Sequence, residues 1–211
     1  MLVIIGAGDH GRMVADLLTA CGRPPDGFVD TGPLRLIDGI PVWGDDALLP
    51  ELGVRHMRCF VGLGSIRDTS GRRALFQRVV AAGLQLAPAA IHPSAIVAPS
   101  VSVGVGTVVL AGAVIQRATQ IGVNVIVNTG AQIDHDCRIG DHAHIAPGAI
   151  LLGRVSAEEG AHIGAGAMIR QGLTVGARAV VGMGAVVVRH VEEEETVVGN
   201  PARPCNLRTP M

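Results

Sequence analysis

The stretch Ile121-Gly122-Val123-Asn124-Val125-Ile126-Val127-Asn128-Thr129-Gly130-Ala131-Gln132-Ile133-Asp134-His135-Asp136-Cys137-Arg138-Ile139 decides the fold. Aliphatics stand at 121, 127, 133 and 139, and this step of six continues in both directions without an insertion. From Ile91 to Val187 it passes through seventeen positions; sixteen are Ile, Val or Leu, and Ala157 is the exception. Two residues before each there is usually a small residue, such as Ala113, Thr119, Ala131, Cys137, Ala143 or Ala149, and Gly often follows. Amphipathic helices repeat near 3.6 residues and free strands alternate by two, so neither produces a strict hexad. A parallel β-helix does: short strands coil, and each aliphatic points inward onto its counterpart one coil later. Three hexads make a triangular coil of roughly eighteen residues. Seventeen rungs then predict a prism on the order of 27 Å tall, at about 4.8 Å per coil.

Composition agrees. The 211 residues are 48% apolar and 2% aromatic, with 29 Gly and no Tyr, which excludes a core built on rings and suits a narrow prism of Val, Ile and Ala. A net charge of −1 offers no basic field for nucleic acid. No apolar run is long enough to span a bilayer, and the chain opens directly into a strand pattern; a cytoplasmic protein without a membrane segment is expected. The four cysteines, Cys21, Cys59, Cys137 and Cys205, form no CxxC and read as free thiols in a reducing compartment.

The first ninety residues follow another pattern. Leu2–Ile5 reads as a buried strand, Gly6-Ala7-Gly8-Asp9-His10-Gly11 as a glycine loop, and Arg12 to Cys21 as a helix. Phe28-Val29-Asp30 and Cys59 to Gly64 read as further strands, and Arg72 to Ala82 as a second helix. Strand–helix–strand order with a Gly-rich first turn predicts a small Rossmann-like βαβ domain over residues 1–87, followed by the β-helix over 88–211. The loop satisfies GxGxxG, and Asp30 follows at the end of the second strand. Three or four strands make only half of a dinucleotide fold, but one half holds one nucleotide: N–H groups at the helix start attract a phosphate, and the acid binds a ribose or base.

Among eight histidines, His135 stands out. It lies two positions past the inward Ile133, at an outward corner, between Asp134 and Asp136. An imidazole beside carboxylates is held in one tautomer and its conjugate acid is stabilised, which suits a general base. His144 and His162 each precede an inward residue and are eighteen apart, so they are expected to stack on one outer face, with His142 close by. Such a cluster raises zinc, but the spacings do not match a zinc-ligand pattern, so no metal is expected. His162 reads as a solvated coil-face residue.

A small βαβ domain with this glycine loop, followed by a left-handed hexapeptide β-helix, resembles the bacterial nucleotide-sugar 4-amino N-acetyltransferases, relatives of the sialic acid O-acetyltransferases. The specific parts are Gly6 to Gly11, Asn128-Thr129 followed by Ile133 to Cys137, and Val198-Gly199-Asn200-Pro201-Ala202-Arg203; Asp9 departs from the smaller residue usual in that loop. The resemblance implies an acetyl-CoA-dependent acyltransferase that acts on a nucleotide-linked amino sugar. His135 is then the base, Asp136 its orienting partner, and Asn128 the third catalytic residue. Gly8, Asp9, His10, Asp30, Thr31 and Gly64 fall to the sugar nucleotide. Coenzyme A falls to Gly153, Ala165 and Met183, and to His144 with a ring N–H or backbone group at the thioester carbonyl. A homotrimer with sites between subunits is expected, because a solitary prism leaves its flat faces uncovered. O-acetylation of a sialic acid or similar hydroxylated acceptor, and a non-catalytic β-helix scaffold, remain the alternatives.

Overall fold

The computed structural model describes residues 1–31, 34–65 and 68–205. The N-terminal unit runs β1 (Leu2–Ile5), α1 (Asp9–Ala20), β2 (Gly27–Val29), β3 (Leu36–Ile37), β4 (Ile40–Pro41), α2 (Leu49–Val54), β5 (Arg58–Val61), α3 (Ser70–Ala81) and β6 (Gln85–Leu86). Strands β2, β1, β5 and β6 pair in that order as one parallel sheet, while β3 and β4 form a separate hairpin. The hairpin and α2 were not foreseen: each is too short to show a period in sequence.

Helix α1 begins three residues earlier than the pattern predicts. Gly8 is its N-cap, so the turn proper is only Gly6 to Gly8, and His10 and Gly11 already belong to the helix. Two glycines make this close entry work. Gly6 has φ +103°, which disfavours any side chain, and a Cβ on Gly11 would collide with the Gly6 carbonyl oxygen. Gly8 has open space around it, so its role is toward the cavity rather than packing. Similarly, β5 ends at Val61 rather than Gly64, where Gly62 passes too close to Gly6 to carry a side chain.

Seventeen two-residue strands follow, from Ala90–Ile91 to Val186–Val187, in a left-handed parallel β-helix. Each residue pairs in parallel with the one eighteen further on, as in Ile126 with His144 and His144 with His162. The inward column Val109, Val127, Ile145, Ile163 and Val181 is fully buried, and so are the small residues Ala113, Ala131, Ala149, Ala167 and Ala185. Ala157 is buried like its larger equivalents. Thr107 and Thr119 occupy two of the small positions. Their hydroxyls donate to the carbonyls of Gly122 and Asp134 at 2.8 Å and accept the N–H of Val125 and Cys137, so neither is buried unpaired. Ile91 departs from the expectation: it is 36% exposed, because no coil precedes it at the open end. The other end is closed by Val191, Val197 and Ala202.

The two units share a core. Val14, Leu17 and Leu18 of α1 pack with Ala90, Val108, Leu110 and Ile126 on the first face of the prism. Helix α3 covers the adjoining corner: Phe76 meets the His142 ring edge-on at 4.7 Å, and the Thr69 hydroxyl donates to the Gly160 carbonyl at 3.0 Å. Arg72 lies fully buried between the units. Its guanidinium donates to the carbonyls of Val61 and Leu63 at 2.7 Å, and its Nε to that of Asn124 at 3.4 Å. Among the described residues no helix is long and apolar enough to cross a membrane.

Truncating one rung removes contacts above and below it, and the rigid coil cannot collapse into the space. Ile163→Ala is therefore expected to lose about 2–5 kcal/mol of stability. Gln120→Ala, on the outward side of the third face, should change little. Denaturation giving equal losses for both would contradict a core carried by the aliphatic stack.

Candidate functional site

The glycine turn and the prism enclose a cavity of about 480 Å³. It is lined by Gly8, Asp9, His10, Asp30, Gly64 and Ser65 from the N-terminal unit, and by Asn128 and His144 from the prism. Thr31 lies in an adjoining cavity of about 250 Å³, which reaches Asp46 and Arg78. All six residues expected at the sugar nucleotide thus line two neighbouring hollows whose walls share Gly6, Asp30 and Leu63. One Asp30 carboxylate oxygen accepts the Ala7 N–H and so holds the turn; the other is left for a ligand apart from a long 3.4 Å contact with the Thr31 hydroxyl. Met13 and Ser65 also line the larger cavity and were not foreseen. Ser65 carries no motif; it arrives there only because the β5 end docks against the prism.

His144 occupies an outward position on the first face, where α1 and the Gly62–Ser65 segment cover it. Its Nδ1 lies 2.9 Å from the Ser65 carbonyl oxygen and 3.0 Å from the Ser65 hydroxyl, and its Nε2 lies 3.2 Å from Asn128 Nδ2. Both ring nitrogens are therefore engaged within the protein. Of the two donors expected at a thioester carbonyl, a ring N–H of His144 is taken up by these contacts, which leaves a backbone group as the other. His162 stacks as expected, edge-on to His144 at 4.9 Å, but it is buried rather than solvated. His142 turns away to Phe76 and to the Asn124 amide at 3.1 Å, so the three imidazoles do not form one cluster. Among the described residues no group of three His, Cys, Asp or Glu could hold a metal ion.

Burial pushes these imidazoles toward the neutral form. His10 and His144 fall to about 3 and His162 to about 4, with desolvation the largest cause in each. The positive charge of Arg72 adds to the effect on His10, and the closeness of a second imidazole, His162, to the effect on His144, since two stacked rings resist being protonated together. In an unfolded chain they would take up protons near 6.5. Stability is thus complete above that value and falls as the pH drops toward 4, because the unfolded state then binds protons that the fold excludes. Calorimetry between pH 7 and 5, above the carboxylate range, should show a falling thermal midpoint, with a shallower slope in His162→Gln. A flat midpoint over that interval would contradict neutral burial of the cluster.

His135 stands at a different corner. Its Nδ1 is 2.7 Å from Asp136 Oδ2, while Asp134 accepts the His135 backbone N–H at 2.7 Å and stays off the ring. Asp136 has φ +58°, a left-handed conformation that Asp tolerates better than most residues, and it brings the carboxylate back beside its neighbour. The imidazole lies over Gly153 of the next coil; a Cβ there would sit 2.6 Å from His135 Nε2. The His135 side chain is 40% exposed, and no protein group hydrogen-bonds Nε2 among the described residues.

Within one chain these groups do not meet. Asn128 follows the first-face strand Ile126–Val127, and His135 follows the second-face strand Gln132–Ile133, so a whole face separates them. The residues expected at coenzyme A divide likewise. Gly153 stacks on His135, whereas Ala165 and the exposed Met183 continue the column above Thr129 and Pro147 on the Asn128 corner. The face between carries outward Ile96, Val114, Gln132, Ile150, Met168 and Val186, all apolar but Gln132. A larger groove of about 570 Å³ on the third face is lined by Ser102, Gln120, Arg138 and Ser156 and contains none of the expected site residues.

Two family models match the chain: the PglD N-terminal domain over residues 1–79, and the bacterial transferase hexapeptide (six repeats) over residues 118–153. Among solved structures, PerB from Caulobacter crescentus, in complex with CoA and GDP-perosamine, is 41% identical over 97% of each chain, with a TM-score of 0.89. The same protein is described elsewhere as a perosamine N-acetyltransferase. The acetyltransferase domain of PglB from Neisseria gonorrhoeae, in complex with acetyl coenzyme A, is 40% identical over 97% of this chain and 98% of that one, also with a TM-score of 0.89. WeeI from Acinetobacter baumannii is 28% identical over 97% and 99%, with a TM-score of 0.85. No curated protein sequence matches the chain.

Proposed function

Because the chain belongs to the bacterial nucleotide-sugar N-acetyltransferases built from a PglD N-terminal domain and a hexapeptide β-helix, we propose that it moves acetyl from acetyl-CoA to the 4-amino group of a nucleotide-linked amino-deoxy sugar. One observation carries this reading: Asn128 of the prism faces the same cavity as the glycine turn, so a nucleotide held by the N-terminal unit extends its sugar toward the acyltransferase scaffold. Residues 1–87 hold the nucleotide and residues 88–211 carry the transfer. Relatives in complex with GDP-perosamine and CoA support this choice of ligands.

The amine attacks the thioester carbonyl carbon directly. The C–N bond forms as His135 Nε2 takes the ammonium proton; collapse of the tetrahedral intermediate breaks the C–S bond and releases CoA, whose sulfur takes that proton back from the imidazolium. Asp136 holds Nδ1–H and stabilises the imidazolium. Gly153, bare beneath the ring, leaves room for the imidazole to lie flat against the next coil. The reaction takes place in the cytoplasm, where the unpaired Cys59 and Cys137 stay reduced.

Since His135 and Asn128 occupy different corners, the working site forms between copies. The His135–Gly153 corner of one chain meets the Asn128–Ala165–Met183 corner of the next, and three-fold closure uses each corner once. The apolar second face then turns toward the other copies.

His135→Ala is expected to lower kcat by roughly two to four orders of magnitude with the fold intact, and Asp136→Asn by less. Thiol release from acetyl-CoA, assayed with GDP-perosamine and other nucleotide-linked 4-amino sugars, reads both. An alanine variant that keeps most of its turnover would remove His135 from the role of base.

Shared sites make a second outcome testable. His135→Ala and Asn128→Ala proteins should each be nearly inactive alone, yet co-expression should restore activity, because some mixed interfaces pair an intact His135 with an intact Asn128. Inactivity of purified mixed oligomers would place the site within a single chain.

A further inference from the structure

The contacts around His144 settle its tautomer, and with it the polarity of Asn128. The Thr129 N–H lies 2.8 Å from Asn128 Oδ1, and an N–H needs an oxygen, so the amide nitrogen of Asn128 is the atom that faces His144. That nitrogen carries only donors, which makes His144 Nε2 an acceptor. The remaining ring proton must sit on Nδ1, where the Ser65 carbonyl at 2.9 Å and hydroxyl at 3.0 Å receive it. The opposite tautomer would set a lone pair against the carbonyl at one end and two N–H groups against each other at the other. Burial keeps the ring neutral, so it holds one proton to place.

Resting on the functional reading above, we propose that Ser65 and His144 are positioning residues that fix the orientation of the Asn128 amide, aiming its second N–H at a hydroxyl oxygen of the bound sugar. Asn128 Oδ1 is turned to the backbone, where it accepts the Thr129 N–H, so the group left facing the cavity beside His144 is the amide nitrogen with its second hydrogen. A nucleophilic amine placed there would have its lone pair masked by the N–H. The arrangement therefore orients the sugar with an oxygen at Asn128 and leaves the amine for the base at the other corner. It also ties orientation to docking of the N-terminal unit, because the Ser65 carbonyl belongs to the segment that Arg72 holds through Val61 and Leu63.

Nitrogen NMR of histidine-labelled protein without ligand tests the wire directly. With the His144 signals assigned by their loss in His144→Gln, Nδ1 should carry the proton and Nε2 should be bare. In Asn128→Asp, only oxygens face Nε2, and His144 should become doubly protonated at neutral pH. A proton on Nε2 in the parent protein, or an unchanged ring in Asn128→Asp, would overturn the proposal. Kinetics supply the functional half. A glutamine at 144 can donate to Ser65 and accept from Asn128, whereas leucine can do neither. His144→Leu should therefore raise KM for the sugar nucleotide tenfold or more, while KM for acetyl-CoA stays within twofold; His144→Gln should recover most of the loss. Equal losses in the two variants would reduce His144 to a packing residue. The NMR readout needs no substrate, so failure of every amino sugar to be acetylated would undo the functional reading without touching the tautomer.

Discussion

The structure depends on one constraint: every side chain that points into the prism has its main neighbours one coil above and one coil below, eighteen residues away. The same spacing carries the parallel pairing of each strand with the next. A single inserted residue would shift every later rung out of phase and turn inward aliphatics to the surface. The reward for keeping phase is a column of identical environments. Whatever stands at the corners inherits fixed positions, 4.8 Å or so apart, on a frame that does not bend.

Function uses that regularity by decorating the corners differently. The left-handed corner positions accept Gly at 130, 148 and 166, but Asp136 takes the same conformation on another corner and brings a carboxylate to its neighbouring imidazole. Gly153 clears the space below. A local pair on a rigid rung needs little further support, which is why His135 and Asp136 can stand half-exposed without losing their geometry.

The N-terminal unit solves a different problem, that of holding polar groups between two packed bodies. Arg72, His144, His162 and Asn128 are all buried at or beside the junction. Apolar contacts from α1 supply the adhesion, and the polar groups supply direction: Arg72 gathers two carbonyls at the β5 end, and Ser65 hands its carbonyl to His144. Buried groups of this kind stabilise little on balance, but they are costly to misplace, so they select one docking pose.

What the sequence determined alone is what depends on neighbours along the chain or on a fixed period. The hexad specified the prism, its inward column and its small second position, down to Ala157; the carboxylates flanking His135 narrowed its partner to Asp134 or Asp136, and the structure pairs the ring with Asp136; and the glycines after Ile5 marked the turn. The helix start at Asp9 was misjudged because three glycine positions look like loop until it is seen that Gly11 packs as a helical residue. The tertiary structure alone decided which distant groups meet. Ser65 and His144 are 79 residues apart and share no pattern, and the burial of Arg72 follows from where α3 lands on the prism. The separation of Asn128 from His135 was computable from the period, and sites between subunits were expected from the uncovered prism faces; that the glycine turn opens onto the Asn128 corner and not the other became visible only in the structure. Periodic contacts repeat and so leave a trace in sequence; a docking pose occurs once and leaves none.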